Sequence, residues 1–473
     1  MGQKNTSLFK VGAIYTLSNI LVRGITFLTT PLFTRIMSQS DFGQYSSITS
    51  WISILLTIVT LDLYSAVSVA KYDYNDDIDR YLSSNLLFGN IVTLLFCIIT
   101  EFNITYAENF LDMDSKYIRI MYAYLLFYPA SQFLLAKFRI YNEYKQVVQI
   151  TLATVIVSTI AQIVLVLCIQ DKLFGRFLGG FGAVTIVNIV LWVSIIAKGR
   201  CFSFKYIKHA VFLAVPLIPH VLSGVLLNSS DRVMINSICG STDAALYSLA
   251  YTVSSITSVF SVAVNQAWVP WMYDRMENGR GEIKKASQIY ALGFAFLSCI
   301  LMALGPEIVL IFGGNEYYES CYVIAPVVVS LMLQFIYTQY VNIEFYRKKN
   351  VWISVATIGA TLINIGLNYI LLPIFGYLVA AYTTIVGYLF MVVFHYIFVK
   401  HKTNDGDIYD EKVFVITLVA VLVNMGVFLA SYTNNYYRIS ILVAYLILLI
   451  IVLRKNKDKV KQMMSGVKKV IRR

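Results

Sequence analysis

The sequence predicts an all-α polytopic membrane protein of about fourteen transmembrane helices. These form two six-helix lobes, related by a parallel internal repeat around a central cavity, with two further helices at the C-terminal end. Three observations predict this. Of the 473 residues, 58% are hydrophobic and only 14% charged, with a mean hydropathy of +0.68. A water-soluble chain of that composition has nothing with which to cover its core. Apolar runs long enough to cross a bilayer recur along the whole chain. When these runs are threaded alternately with the N-terminus inside, thirty of the 38 Lys and Arg residues fall inside and seven outside. One miscounted run would destroy that split, so both ends are expected in the cytoplasm.

The first run, VGAIYTLSNILVRGITFLTT, carries Arg23 near its middle. Helical spacing places Thr16, Asn19, Arg23, Thr26 and Thr30 in one stripe. A charge at bilayer depth costs several kcal/mol, so the stripe faces either a watery interior or a neighbouring helix that pairs with Arg23. The cavity is the favoured alternative. No cleavage site precedes this run, so it is expected to remain as an anchor. Five more runs follow, centred near Leu55, Leu94, Tyr128, Ser158 and Ile186, and complete a first lobe over residues 1–203. Runs near Leu217, Ser255, Phe296, Leu333, Asn364 and Val386 make a second lobe over 204–402. The ninth of the fourteen is followed by Gly305-Pro306 and a second short run, IVLIFGG. Runs near Val421 and Ala444 are the additional pair over 403–454, and a basic tail, 455–473, lies against anionic lipid. The net charge of +12 is therefore a topology signal and no nucleic-acid footprint.

The opening stretch is echoed further on. Thr34-Arg-Ile-Met37 resembles Asp231-Arg-Val-Met234, and Asp41-Phe-Gly-Gln-Tyr-Ser46 resembles Asp243-Ala-Ala-Leu-Tyr-Ser248. Aligning Arg35 with Arg232 sets Arg23 opposite His220 across the cavity. A guanidinium suits phosphate oxygens, and imidazole changes charge near neutrality. His220 either lines the cavity or bonds a carbonyl released by Pro216 and Pro219, which loosen the helix. Asn19, Asn265 and Asn364 are the further cavity candidates, Asn364 with Asn368 at i and i+4 either lining the second lobe or bonding across helices. Asp62, in the second run, is the acid expected deepest in the membrane, where it neutralises Arg23 or binds a coupling ion. Arg35, Asp41, Asp231 and Arg232 sit at outer helix ends as gate or hinge residues, with snorkelling to headgroups as the alternative. Glu344, three residues from Arg347 at the inner mouth, is a gate candidate or half of a surface salt bridge.

No enzymatic constellation is present: no P-loop, HExxH or GxSxG motif, and only four histidines. The six cysteines form no CxxC pair, so no metal site, cofactor or disulfide framework is expected.

The stretches PLFTRIMSQSDFGQYS, VPLIPH…SSDRVMI, NQAWVP and INIGLNYILLPIFGYLVAAYTT together resemble bacterial polysaccharide flippases of the O-antigen transporter (Wzx) family, over about residues 8 to 400. That family shares a superfamily with multidrug exporters and peptidoglycan lipid flippases. The resemblance implies a transporter, not an enzyme. Its cargo would be an oligosaccharide repeat unit on undecaprenyl pyrophosphate, moved across the bacterial inner membrane by alternating access, with Arg23 contacting phosphate. It also implies membrane lipids, a polysaccharide polymerase and a chain-length regulator as partners. Many family members have twelve spans, so the last pair departs from the pattern. A drug or cation exporter would favour several embedded acids, and a polymerase would want a large outer loop; this chain shows neither.

Overall fold

The computed structural model describes residues 8–403 and 405–455; the side chains of residues 8–20, 23, 446 and 448–455, and the tail from 456, lie outside the described set. The first six rods are α1 (Leu8–Ile36), α2 (Gln39–Val59), α3 (Ile78–Phe102), α4 (Ser115–Ile140), α5 (Tyr144–Cys168) and α6 (Lys172–Gly199). The next six are α7 (Phe204–Ile238), α8 (Ser241–Tyr273), α9 (Arg280–Ala303), α10 (Cys321–Tyr346), α11 (Asn350–Phe375) and α12 (Val379–Lys402). α13 (Glu411–Ser431) and α14 (Asn435–Lys455) follow.

Eleven of these rods are long and apolar enough to cross a membrane. α1, α4 and α14 have spanning length, at 29, 26 and 21 residues, but are not among the eleven. Their crossing rests on the charge pattern. Turns or short helices link successive rods, and the end of the bundle where α1 begins is called the near face and the opposite end the far face. α10 is the central rod of its half, with 78% of its apolar window buried. α5, at 6%, presents its aliphatic side chains outward, as a lipid-facing helix does.

Local sequence explains where rods start, bend and touch. Ser38 caps α2, its hydroxyl accepting the Asp41 amide at 3.1 Å. α6 carries a π-type turn at Leu178–Gly182, where three glycines leave the chain free to lie against α5. A Cβ on Gly179 would stand 2.5 Å from the Cα of Gln162. Gly179→Val is therefore expected to cost about 1–3 kcal/mol or more by overpacking. Gly224, with nothing within 4 Å of a Cβ, should accept alanine without loss. Thermal midpoints of the two detergent-purified variants check the contrast.

Two breaks shape the interior. α7 passes through a 3-10 turn at Val215–Leu217, as Pro216 and Pro219 require. Its near part, Phe204–Ala214, packs into a cluster with Leu63 and Val67 of the segment between α2 and α3, Tyr81 of α3 and Phe133 of α4. There the Tyr81 hydroxyl and the Asp73 carboxylate each lie 3.0 Å from a ring nitrogen of His209. The far part of α7 packs against α2 and α11. The second break was not anticipated: α2 ends at Val59, and Leu61 and Asp62 take left-handed backbone, with φ 55° and 48°. Asp62 thus lies in a turn beyond the rod, buried, with Ser65 donating to its carbonyl at 2.8 Å. The second run is not one continuous helix through Asp62.

Candidate substrate cavity and far-face seal

The two halves meet where α1 and α2 approach α7 and α8. At the far face their contact is close. A Cβ on Gly43 would lie 1.8 Å from the Ser241 carbonyl oxygen, so α2 and α8 touch backbone to backbone. The Ser40 and Ser241 hydroxyls lie 2.6 Å apart, and the Ser248 hydroxyl donates to Ser46 at 2.7 Å. Ser46 and Ser248 are the residues that end the aligned segments of the sequence, so aligned positions touch each other at this contact. The short helix Gly305–Gly313 seats on α1: Thr34 donates to the Phe312 carbonyl, Arg35 to that of Ile311 at 3.2 Å, and Phe27 packs on Phe312 at 4.4 Å. Asn236 of α7 and Gln44 of α2 both donate to Asp112. Among the described residues, the hydrogen bonds joining α1–α6 to α8–α12 cluster at this face.

Beneath the seal sits Arg176, buried with no salt bridge among the described residues. The rings of Tyr45, Phe33 and Phe42 stand 4.0, 4.2 and 4.9 Å from its guanidinium carbon. Aromatic faces take the place of a counter-ion there.

Inside the second half, Asp231 is only 2% exposed. Tyr247 and Thr384 donate to one carboxylate oxygen at 2.6 and 2.9 Å, and Asn368 donates to the other at 2.7 Å. Thr383 donates to the Asn368 amide oxygen at 2.5 Å. Asn364 donates weakly toward Thr383 and Thr384, and its own amide oxygen is buried without a partner. This is a carboxylate held by neutral donors, with no salt bridge among the described residues. An ionised carboxylate there is costly unless a proton or small cation joins it. Nearer the near face, the His395 Nδ1 lies 2.7 Å from Glu344, both side chains fully buried.

The remaining sequence candidates fall as follows. The side chains of Arg23 and Asn19 lie outside the described residues, and with them the pairing of Arg23 with His220 or Asp62. His220 is half-buried just beyond the α7 break, and its Nδ1 has no hydrogen-bond partner. Pro216 and Pro219 are exposed at that break. Asn265 accepts from Asn342 at 3.0 Å, linking α8 to α10. Arg35 is in the seal; Asp41 lies in the first turn of α2. Arg232 turns away from Asp231, donating to the Asn228 carbonyl and lying 4.6 Å over the Tyr251 ring. Asp231 and Glu344 differ from expectation, and Asn364 resolves between its alternatives. Asn364, buried beside the Asp231 cluster, takes the second of its two alternatives and bonds across helices to Thr383 and Thr384. Asp231 is a core acid, not a rim residue. Glu344 makes no surface bridge to Arg347, because α10 ends there and Arg347 swings to Asp405 at 2.6 Å. That contact holds the Arg347 guanidinium above its usual range.

A model of the polysaccharide biosynthesis protein family matches residues 8–276, more than half of the chain. The chain belongs to that family. It is 21% identical to a protein of the Lsg locus of Haemophilus influenzae, over 76% of this chain and 90% of that one. A membrane protein of Methanocaldococcus jannaschii is 22% identical, with 86% of each chain covered. The fold is that of the lipid II flippase MurJ in an inward closed conformation: TM-score 0.75, 16% identity, 95% of this chain and all of that one. An inward-facing multidrug transporter of the MATE family gives TM-score 0.61 at 12% identity, over 81% and 99%. This family member is thus a multi-pass membrane protein with a transporter fold.

Sequence reasoning missed Tyr247, Thr383 and Thr384 around Asp231, and missed His395 and Arg176. The Asn364/Asn368 pair one turn apart was visible, and a search for an acid on a neighbouring run would have led to Asp231.

Proposed function

We propose that this family member flips an undecaprenyl-pyrophosphate-linked oligosaccharide, an O-antigen or capsule repeat unit, from the cytoplasmic to the outer leaflet of the bacterial inner membrane. The near face is then cytoplasmic, both termini are inside, and 1–203 and 204–402 rock as two lobes, with the near part of α7 shared between them. The observation that carries the reading is a flippase-like fold over nearly the whole chain in a family named for polysaccharide biosynthesis. The physics agrees. A glycosyl diphosphate cannot cross hydrocarbon, whereas its lipid tail can stay in it, so the protein need only offer a polar path for the headgroup. The seal is then the closed outer gate, and Arg23 and His220 line the path. Asp231, in place of Asp62, becomes the coupling acid.

Deletion of the gene is expected to abolish surface polysaccharide and to accumulate the lipid-linked repeat unit, with both restored by the wild-type gene. Arg23→Ala should fail to restore them despite normal membrane levels, and Arg23→Lys should restore them in part. Unchanged surface sugar after deletion would refute the reading.

A further inference from the structure

A slot opens between α4 and α5 on the near side of the first half, with a volume of about 500 Å³. Tyr128, Ser131, Gln132 and Arg139 line it from α4, and Thr151 and Thr154 from α5. Tyr128 and Arg139 are eleven residues apart on one helix, so the slot runs about 16 Å along the bundle axis. Its lining changes with depth. Hydroxyls and an amide occupy the deep part, where the Tyr128 ring also stacks on Tyr124 at 4.8 Å. A guanidinium stands at the mouth.

Two features separate this slot from ordinary packing. First, three cations of this face are engaged: Lys137 with Asp79 at 2.6 Å, Lys71 with the Ile140 carbonyl at 2.8 Å, and Arg80 with Asp77 at 3.3 Å. The Arg139 side chain is exposed and makes no salt bridge or hydrogen bond among the described residues. Exposed Lys145, in the first turn of α5, adds a second positive charge beside the mouth, likewise unengaged among the described residues. Second, α5 is otherwise a lipid-facing rod. Thr154 and Ser131 donate back to the Ile150 and Tyr128 carbonyls, each at 2.8 Å, which leaves their oxygens as acceptors. With Thr151 and the Gln132 amide they line one gap with polar groups that hydrocarbon does not need.

We propose that this slot is the glycan subsite of the transporter. It takes the first sugars of the lipid-linked unit against Gln132, Thr151, Thr154 and the Tyr128 face, and Arg139 takes an anionic group at the mouth. The proposal rests on the flippase reading and assigns its recognition to named residues. Sugars present hydroxyls that donate and accept together with apolar ring faces, and the deep slot answers with hydroxyls, an amide and an aromatic ring. Arg139 lies at headgroup level, where a diphosphate attached to a membrane-held tail must stay, and a guanidinium fork matches its oxygens. A phospholipid headgroup offers the same anion without the sugars.

The test uses the full-length chain in nanodiscs and two probes: lipid-linked oligosaccharide extracted from the host, and undecaprenyl pyrophosphate without sugar. Thr151→Val combined with Thr154→Val keeps shape and removes two hydroxyls. It is expected to weaken binding of the glycosylated lipid about tenfold and to leave the bare diphosphate lipid unchanged. Gln132→Leu should act in the same direction. Arg139→Gln should weaken both probes, and Arg139→Lys should recover part of the loss. If wild type binds both probes and the valine pair binds the glycosylated lipid as wild type does, the glycan subsite is refuted while the flippase reading stands. Equal weakening of both probes by the valine pair would also refute it, since that marks a headgroup site blind to sugar. If wild type binds neither probe, the flippase reading itself falls.

Discussion

Oxidation of a Ser40→Cys/Ser241→Cys pair, in a chain whose six native cysteines are replaced, is expected to stop transport, and reduction to restore it. The two hydroxyl oxygens stand 2.6 Å apart, so the Cβ atoms are within reach of a disulfide. The bond would fix the α2 and α8 N-termini where backbone already meets backbone at Gly43. If the cargo leaves through the far face, that contact must open once per cycle, and a covalent link removes the open state altogether. Ser46→Cys/Ser248→Cys, at 2.7 Å between the aligned positions, should lock the protein in the same way. Uptake of lipid-linked substrate in proteoliposomes, measured before and after a thiol reductant, reports the outcome. Transport by the cross-linked protein at the rate of the reduced one would mean that the far seal stays shut throughout the cycle. The path would then lie elsewhere.

The contrast between what was legible in the chain and what was not follows the range of the forces involved. Spanning helices announce themselves locally, because every apolar run must satisfy its own backbone within itself. The break in α7 was legible too, since Pro216 and Pro219 remove donors at a known place. The break after α2 was not, because Leu61 and Asp62 adopt left-handed backbone without a glycine to signal it. Tertiary contact imposes that turn.

Side-chain partners were the least legible. Asp231 and Arg232 were marked by the repeat, but the sequence could not tell which of two adjacent polar residues turns inward. The answer is set by Asn368, 137 positions away, and Thr384, 153 positions away. Likewise Arg347 lies at helical spacing from Glu344, yet His395 on α12 takes the carboxylate because α10 ends first. Helical periodicity names the face of a rod and says nothing of the rod that will cover it.

Asp231 gives the other large effect. The carboxylate lies seven residues from the far end of α7, about 10 Å below the seal, within reach of protons or cations from that side. Asp231→Ala leaves the Tyr247 and Asn368 donors without that acceptor, at about 1–3 kcal/mol for each unsatisfied group, while Thr384 keeps the Ala380 carbonyl at 2.8 Å. That variant is expected to be poorly stable. Asp231→Asn keeps the volume and one acceptor oxygen but loses the charge, which makes it the informative variant. If the buried carboxylate binds a proton or small cation when the far side opens, and releases it when the near side does, Asp231→Asn should fold and reach the membrane yet transport at least about tenfold more slowly. Tenfold is about 1.4 kcal/mol of lost coupling. Its residual rate should be flat against an imposed pH or sodium gradient, where wild type responds. Proteoliposome transport under each gradient separately tells proton from sodium. A variant that transports at the wild-type rate with the same gradient response would reduce Asp231 to a structural acceptor for three donors. The driving force would then have to come from the substrate gradient alone.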